Sequence, residues 1–459
     1  LILKDASLLR LAARYAMSIG MCEYWDDGMI CRMPGSTFEH RCFVQSLCAW
    51  EISLILDLAG EFFTELGRNY LMRKIAENAL AAIQYNIWKH EYLFDCNQLA
   101  WFTPGRMLGS CLLERHWPRA RNHTEQTYKD VVENINRTIL PDGGYVEGPT
   151  YFTCIGHHAG LAGYVYAKRS NLNFSSVMPD LLRKTKSFAE AIASTDPSRD
   201  VIPICDARDT IDQDTLAIMA YLLPKSRWAE MFRKSVARGG GFPNSMLALA
   251  LEDKIPYKKV PLIPFVHLPV MGLAASVRKL DSAIVKILML GNKAGAGHTH
   301  EDKGSFVLEF AGEIFAIDPG TCDYSSPYAG ILKNCERHNM LVPFGTIERP
   351  SPACPIFSDI KLKAYGNIKS FHSSANLTPG WEKYYKKWIR KLYSPSPASI
   401  TIKDSFELKK GKGVEFYWNT RLPVSIKNGR FVITGKNGIV TIIPPSNCEL
   451  RIDLSLIHI

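Results

Sequence analysis

The most informative segment of the sequence is Gly297-His298-Thr299-His300-Glu301-Asp302-Lys303-Gly304-Ser305-Phe306, which places two histidines and two carboxylates within five consecutive residues. An apolar segment, 306–310, follows at once, and then come Ala311-Gly312 and a second apolar segment, 314–317. Two runs of strand-forming residues around a two-residue turn predict a β-hairpin. The stretch therefore predicts antiparallel β-structure that carries a cluster of chemically active side chains.

The predicted hairpin has a register that brings a further acidic group to the cluster. If Phe310 pairs with Glu313, Asp318 lies opposite Ser305 on the neighbouring strand. The two histidines are separated by one residue, and in an extended chain such residues point to the same side. We therefore expect a functional site at this end of the hairpin.

Metal binding is one function that this cluster can serve, because imidazoles and carboxylates that converge are typical ligands. His300 and Asp318 can converge if the hairpin forms, and His338 is a third candidate ligand. Each residue also has an ordinary interpretation. Two histidines on a strand can form an exposed pair, and Asp before Pro-Gly is a common turn former.

Length and composition describe an ordinary globular chain. Its 459 residues are enough for two domains, and the hydrophobic content of 46% with 22% charged residues is typical of folded proteins. The sequence has no run of eighteen apolar residues, so we expect no transmembrane helix. It begins with Leu, which indicates a start inside a longer reading frame or processing. The tail, 453–459, resembles a translated adapter sequence, and we assign it no function.

The net charge limits which partners are expected, and the cysteines limit which cellular compartment is expected. The net charge of +10 favours anionic partners, either nucleic acid or an acidic polysaccharide. No zinc finger, basic zipper or RNP-like motif supports nucleic-acid binding. None of the twelve cysteines forms a CxxC pair. Scattered thiols in a large chain favour a reducing, cytoplasmic compartment, with a periplasmic or secreted location as the alternative.

The chain divides into a helical part and a strand-rich part. Residues 1–255 contain segments with helical periodicity, separated by breakers such as Pro104-Gly105, and residues 256–459 contain short β-branched runs. We therefore predict an α+β fold with domains at 1–255 and 256–459. Predicted helices are 43–58, 70–87, 128–139, 151–167, 177–192, 216–223, 227–236 and 245–251, and predicted strands are 284–290, 356–365, 400–406, 414–418, 431–434 and 439–443.

Two stretches of the helical part are further candidates for a site. The loop that begins at Asp142 contains glycines that permit close approach to a ligand, and it includes Glu147 and leads into a helix at Tyr151. An ordinary inter-helix loop with a packed aromatic residue is the alternative. Asn97 stands where a helix begins, and a helix cap is its ordinary role. We interpret His157-His158 as packing or surface residues.

Taken together, these stretches resemble the heparinase II/III-like polysaccharide lyases. The resemblance rests on the order and spacing of HxHxDxGSF (298–306), DPGT (318–321), the later His338-Asn339 and DGGYxEGPxY (142–151). It implies an incomplete (α/α) toroid of helices followed by an antiparallel β-sandwich domain. Dermatan sulfate epimerases share the same constellation.

The resemblance also implies roles for individual residues. Asn97 would neutralise a uronate carboxylate, and Tyr151 and His298 would transfer protons. Some relatives have His in place of Asn97, and not all keep a metal. Tyr324, like Tyr328, lies where relatives place an auxiliary tyrosine. The expected ligands of a structural divalent metal, zinc above all, are His300, Asp318 and His338, and the expected substrate-binding residues are Glu147, Arg106 and Tyr324, with Arg208 and Arg337 as further basic candidates from their position.

The implied chemistry is removal of the C5 proton of a uronic acid. Neutralising the adjacent carboxylate stabilises the enolate-like intermediate, and a base and an acid then complete β-elimination. A lyase that cuts an anionic polysaccharide is therefore the first hypothesis. A uronyl C5-epimerase with the same residues is the second, and a non-catalytic carbohydrate-binding scaffold is the third. We expect neither nucleic acid nor membrane as a partner.

Overall fold

The computed structural model of the chain describes residues 5–26, 42–256, 258–291, 297–351 and 359–453. The first part of the strand predicted at 356–365 and most of the tail at 453–459 lie outside these residues. The chain forms two compact units, each built from two segments. The first comprises Leu1–Thr138 and Thr153–Leu182, and the second comprises Ile139–Phe152 and Arg183–Ile459.

Helices make up the first unit and the beginning of the second. The α3–α4 and α7–α8 pairs are each joined by a π-helical turn, at Ile75–Leu80 and Cys154–Ala159. The helices are α1 (Ala6–Met21), α2 (Phe43–Ala59), α3 (Glu65–Lys74), α4 (Ala81–Lys89), α5 (Asn97–Glu114), α6 (Arg121–Thr138), α7 (Pro149–Thr153), α8 (Gly160–Arg169), α9 (Phe174–Val177), α10 (Asp180–Ile192), α11 (Gln213–Leu222), α12 (Arg227–Arg238) and α13 (Met246–Glu252).

The predicted break at Pro104-Gly105 is wrong, because both residues lie inside α5. Proline has no N–H to donate to the carbonyl of Ala100 one turn earlier, and the Thr103 hydroxyl donates to that carbonyl instead, at 2.6 Å. A Cβ on Gly105 would lie 2.2 Å from the Ser46 carbonyl oxygen of α2. The glycine therefore permits close packing of two helices. Helix α1 was also absent from the sequence prediction.

Helix α2 belongs to the apolar core of the first unit. Ala49, Ile52 and Leu56 are buried on it, within one cluster that also includes residues of α5. By length and composition alone, Phe43–Phe62 is apolar enough to cross a membrane, and it is the one such segment in the described ranges. Core packing accounts for the buried part of this segment, and a core helix passes the same test of length and composition.

Strands and two short helices follow in the second unit. The sheets are antiparallel, with strand orders β1-β2-β3-β4-β5, β10-β9-β8-β7, β11-β6 and β12-β13-β14. The elements are β1 (Phe265–Leu268), β2 (Leu273–Leu280), β3 (Ala283–Leu290), β4 (Phe306–Phe310), β5 (Glu313–Ala316), α14 (Ala329–Leu332), β6 (Leu341–Phe344), β7 (Leu362–Gly366), β8 (Phe371–Asn376), α15 (Thr378–Trp381), β9 (Tyr385–Ser396), β10 (Ser399–Leu408), β11 (Gly413–Phe416), β12 (Val424–Lys427), β13 (Arg430–Thr434) and β14 (Ile439–Ile442).

The predicted hairpin is formed by β4 and β5. Phe310 pairs with Glu313, as predicted, and Ala311 and Gly312 have φ values of 51° and 79° in the turn. Positive φ at both central residues is the turn geometry that matches strand twist. A bulge then shifts the register, so that Leu308 pairs with Ala316. The predicted alignment of Asp318 with Ser305 is therefore wrong by one residue.

The change from helices to strands falls between Glu252 and Phe265, close to the predicted boundary at 255. Packing follows another division, since the segment from Arg183 onward belongs to the same compact unit as the sheets. The boundary at 255 therefore stays a prediction. The ten cysteines in the described ranges form no disulfide with one another, and the cellular compartment also stays a prediction.

Candidate active site and metal centre

The centre of the candidate site is Asp206, a residue of the second unit. It lies in a loop between α10 and α11, directly after Cys205, whose backbone has φ +63°. The Asp206 N–H donates to the carbonyl of His298 at 2.9 Å, which joins this loop to the histidine stretch. The carboxylate is buried. The loop thus delivers one buried acidic group to the end of the β4–β5 hairpin.

Four side chains donate hydrogen bonds to the Asp206 carboxylate. Its Oδ2 atom accepts from Lys333 Nζ at 2.7 Å, Tyr324 Oη at 2.8 Å and His298 Nδ1 at 3.1 Å. Its Oδ1 atom accepts from His300 Nε2 at 3.0 Å. Burial is the largest single influence on the pKa of Asp206 and raises it, but these hydrogen bonds together outweigh burial and hold the pKa well below its usual range. Asp206 is therefore an ionised acceptor.

The carboxylate determines which nitrogen of His298 carries the proton. An ionised carboxylate only accepts hydrogen bonds, so Nδ1 is the protonated nitrogen of the neutral ring and Nε2 keeps its lone pair. Nε2 lies 3.9 Å from Glu147 Oε1, and Glu147 accepts from Tyr145 Oη at 2.8 Å. His298 has φ +61°, so the stretch is not extended there, and the predicted strand-like parity of the two histidines is wrong.

Tyr151 lies directly against the His298 ring. The two rings stack with centroids 3.6 Å apart and planes 16° from parallel. Tyr151 Oη is 2.7 Å from Tyr324 Oη. Because Tyr324 donates its one hydroxyl proton to Asp206, Tyr151 is the donor between the two tyrosines. Burial, followed by the hydrogen bonds with Tyr151 and Asp206, raises the pKa of Tyr324, so this phenol stays protonated.

His300, Asp318 and His338 meet in a fully buried group. One ligand atom from each lies within 4.8 Å of the others. His300 Nδ1 and His338 Nε2 have no hydrogen-bond partner among the described residues, and His338 Nδ1 lies 3.4 Å from Asp318 Oδ2, an ion-pair distance at the limit of hydrogen bonding. Orphaned polar atoms are costly in a protein interior unless a cation or water satisfies them. The predicted ligands are therefore brought together, and their chemistry fits a divalent metal.

The electrostatics of this group also favour a cation. Burial is the largest influence on the His338 ring and opposes its protonation, but the carboxylates of Asp318 and Asp302 outweigh it and raise the pKa of His338. Asp206 fixes the orientation of the His300 ring, since it accepts a hydrogen bond from Nε2 and leaves Nδ1 available to a metal. A carboxylate that holds the far nitrogen of a ligand histidine is typical of metal sites.

Buried polar groups hold the hairpin end in place. Asn339 Nδ2 donates to the carbonyls of Phe306 and Ile317 at 2.6 and 3.1 Å, which bridges the strands beyond the bulge. The Arg390 guanidinium, also buried, donates to the carbonyls of Gly304 and Asn339. These bonds position the segments that carry His300, Asp318 and His338 without a regular strand ladder.

Asn97 and Arg106 belong to the first unit, on α5. Asn97 is the first helical residue and does not cap the helix; it is buried, with its Oδ1 4.0 Å from Cys154 Sγ. Arg106 is buried against α6, where its guanidinium lies 2.8 Å from Asp130. The guanidinium also donates to Gln84 of α4. Because the guanidinium is buried and already paired with Asp130, the structure gives no support to the predicted contact of Arg106 with substrate. The role of Asn97 stays a prediction.

Sequence reasoning missed Asp206 and Lys333. One signal for Asp206 was present, because an acidic residue ends the apolar run Val201-Ile202-Pro203-Ile204-Cys205. A charge beside a buried segment indicates a buried partner. The partners lie on distant segments, 92 residues away in the case of His298, so no local pattern identified them.

Comparison with known proteins extends these observations. Residues 261–458 match the family model described as Heparinase II/III-like, C-terminal. No curated protein matches the chain. A solved heparinase III gene product with methylated lysines is 15% identical, with a TM-score of 0.61, over 87% of this chain and 58% of that chain.

Two further solved structures are similar. A heparan sulfate lyase HepC mutant from Pedobacter heparinus is 13% identical, with a TM-score of 0.60, over 95% of this chain and 64% of that chain. A heparinase III structure is 16% identical, with a TM-score of 0.56, over 87% of this chain and 62% of that chain. The chain thus spans less than two thirds of the length of each structure.

At these identities the likeness shows a shared fold. It confirms the predicted α+β class, in which the helices of an (α/α) toroid precede antiparallel sheets of a β-sandwich. Residues 261–458 match the heparinase II/III-like C-terminal family model, and the resemblance predicted from the sequence is confirmed as a similarity.

Proposed function

We propose that this chain cleaves a uronic-acid-containing anionic polysaccharide, glycosaminoglycan-like or alginate-like, by β-elimination. One observation carries the proposal: the Tyr151 and His298 rings stack at 3.6 Å, and both side chains connect to the ionised Asp206. The heparinase II/III-like domain supports the reaction class. The net charge of +10 is consistent with an anionic substrate.

In the proposed mechanism, neutral His298 is the base. Its Nδ1–H is held by Asp206, so Nε2 accepts the proton from C5 of the uronic acid. The imidazolium that forms lies between two carboxylates, since Glu147 Oε1 is 3.9 Å from Nε2. Both carboxylates stabilise the positive charge as it develops. Asp206 is thus a positioning residue that acts through His298.

Tyr151 is the matching acid. The electron pair of the C5–H bond forms the C4–C5 double bond, the C4–O4 bond breaks, and the Tyr151 hydroxyl protonates the departing oxygen. The phenolate left on Tyr151 lies 2.7 Å from the Tyr324 hydroxyl, which can donate to it. The proton held by His298 then returns to Tyr151, and the products are an unsaturated uronate and a new chain end.

Asn97 completes the proposal as the donor to the uronate carboxylate. An amide donates hydrogen bonds without a change in protonation. One such donor to a developing oxyanion contributes on the order of 3 kcal/mol to transition-state stabilisation. We therefore expect Asn97→Ala to lower kcat about 100-fold with an unchanged melting temperature, and a normal kcat would remove Asn97 from the mechanism.

Zinc is the metal we propose for His300, Asp318 and His338. Two imidazoles and one carboxylate suit Zn²⁺, which would supply a fixed positive charge when bound. His300 and His298 share Asp206, so occupation of the buried group would steady the hairpin end that carries His298. The proposed role of the metal is therefore structural.

A uronyl C5-epimerase is the second candidate, because the same pair of proton-transfer groups could return the proton to the opposite face. Absorbance of unsaturated uronate separates the two reactions. The protein is incubated with heparan sulfate, heparin, hyaluronan, chondroitin, alginate and ulvan-type polymers. Growing absorbance supports the lyase. Deuterium uptake at C5 without absorbance supports the epimerase, and binding without either supports a non-catalytic scaffold.

Two variants test the assigned residues. Tyr151→Phe and His298→Ala should each lower turnover about 100- to 10,000-fold, the range for loss of a general acid or base. Tyr328→Phe is the matched control, because Tyr328 is exposed and its hydroxyl makes none of the described hydrogen bonds. Near-normal turnover in either site variant would refute the assignment, provided that circular dichroism shows an intact fold.

A further inference from the structure

The outer face of the four-stranded sheet β10-β9-β8-β7 has an unusual composition. Its inward side chains, including Leu362, Phe371 and Leu392, are buried in the core of the second unit. Side chains alternate along a strand, so the residues between them point outward. Eight of the outward residues form two parallel rows across the four strands, which we term the aromatic row and the lysine row.

The aromatic row consists of Tyr365, His372, Tyr393 and Thr401. These residues are direct cross-strand partners in the order Tyr365–His372–Tyr393–Thr401. The His372 ring lies 4.7 Å from the Tyr365 ring and 4.2 Å from the Tyr393 ring. Tyr365 is 64% and Tyr393 is 41% exposed. The row therefore presents a continuous, solvent-facing aromatic surface.

The lysine row lies two residues along each strand and consists of Lys363, Ser374, Lys391 and Lys403. The three lysines are exposed, and none forms an ion pair with a described residue. The eight positions of the two rows contain no acidic residue. Three strand spacings separate the ends of each row, a width of about 14 Å.

The lysine row has an energetic cost that the aromatic row does not have. Lys391 and Lys403 are direct cross-strand partners, and like charges directly opposite each other destabilise a sheet. Cross-strand aromatic contacts can serve stability alone, but three unneutralised cations on a rigid face cannot. A bound polyanion would remove this repulsion.

We propose that these two rows form a second binding surface for an anionic polysaccharide, apart from the catalytic cluster. Sugar rings would lie against the aromatic row, and sulfate or carboxylate groups would meet the lysine row. The rigid sheet holds both rows in position before binding, which lowers the entropic cost. The choice of a polysaccharide over another polyanion rests on the proposed function.

The test combines Lys363→Gln, Lys391→Gln and Lys403→Gln in the full chain. The control combines Lys369→Gln, Lys427→Gln and Lys436→Gln, which removes the same charge from exposed positions of the same unit. Both triple variants also carry His298→Ala to prevent turnover. We expect the lysine-row variant to bind long heparan sulfate or alginate about tenfold more weakly than its parent, and the control to bind within about twofold.

Equal affinity of the lysine-row variant and its parent would overturn the proposal, as would an equal loss in the control. Competition by single-stranded DNA that matches the polysaccharide at equal charge would also overturn it, in favour of a nucleic-acid surface. Turnover of short oligosaccharides by the lysine-row variant with active His298 is measured separately. Selective loss of polymer binding without any elimination activity would leave this surface standing and refute the proposed lyase.

Discussion

His298 and His300 are two residues apart on one segment and contact opposite oxygens of one carboxylate, yet their surroundings differ. His298 is partly exposed, stacks on Tyr151 and turns Nε2 away from Asp206. His300 is buried, presents Nε2 to Asp206 and lies in one buried group with Asp318 and His338. Asp206 thus imposes opposite tautomers on two identical side chains. Exposure then separates the proposed proton-transfer group, His298, from the proposed metal ligand, His300.

Asp206→Asn should produce the largest effect on this comparison, because it acts on both histidines. The amide presents one donor and one acceptor, so it cannot accept from His298 and His300 together. We expect turnover to fall about 1,000- to 10,000-fold, as when a histidine loses its orienting carboxylate, together with weaker metal binding. Steady-state kinetics and metal analysis measure the two losses.

The control for this variant is Asp209→Asn, three residues further on, which contacts neither histidine. If Asp206→Asn kept normal turnover and metal content, the shared carboxylate would have no role in either site. A loss of metal with normal turnover would limit the role of Asp206 to the group of His300, Asp318 and His338.

His300→Ala should affect metal content and stability, whereas His298→Ala should affect turnover alone. A metal present at about 1,000 times its dissociation constant stabilises the folded state by about 4 kcal/mol, and His300→Ala or a chelator should remove this stabilisation. Metal stoichiometry and melting temperature measure the effect. The comparison breaks if His298→Ala lowers metal content as much as His300→Ala does.

Alkaline pH should change stability through Lys286, a buried residue of the five-stranded sheet that is separate from the histidine cluster. Lys286 on β3 is buried, and burial lowers its pKa from 10.5 to about 8. The carboxylates of Glu309 and Glu190 raise the pKa and offset part of this effect, whereas Arg227 and Lys234 lower it further. Between these values the unfolded chain keeps a proton that the folded chain has lost, so the contribution of Lys286 to stability rises with pH. The rise is about 3 kcal/mol from this group and ends above pH 10.5.

Lys286→Met should remove this contribution, so that the free energy of unfolding by urea, measured from pH 7 to 11, rises less or falls more with pH than in the parent. An identical pH dependence in the variant and the parent would contradict the prediction. Turnover at pH 7 should stay normal in Lys286→Met, because Lys286 donates to backbone carbonyls of Glu190 and Ala193 and to no residue of the histidine cluster.

Tyr324→Phe should give the smallest effect. It removes one hydrogen bond to the Asp206 carboxylate and one from Tyr151, while His298 and Lys333 still hold Asp206. A hydrogen bond to a charged group contributes about 1.5–3 kcal/mol, and partial compensation leaves an expected loss of about tenfold in kcat. Tyr328→Phe serves as the control here too. An effect as large as that of Asp206→Asn would make Tyr324 a catalytic residue.

Local sequence predicted a large part of the fold. Helix α12 begins at the predicted residue, the strands of the hairpin lie at the predicted positions, and the Phe310–Glu313 pair forms as expected. These features follow from periodicity and turn preference, which act over a few residues. The errors also have local causes. Thr103 and Gly105 allow Pro104 inside α5, and the bulge in β5 shifts the return strand.

Periodicity and motif spacing alone predicted the order of helices and strands, the family resemblance, and a division between His298 as a proton-transfer group and His300, Asp318 and His338 as metal ligands. The folded chain adds the one carboxylate, Asp206, that contacts both histidines. Asp206 reaches His298 across 92 residues of chain, and its hydrogen bonds set the tautomers of both histidines. Tautomer and burial depend on long-range contacts, and no pattern of neighbouring residues encodes them.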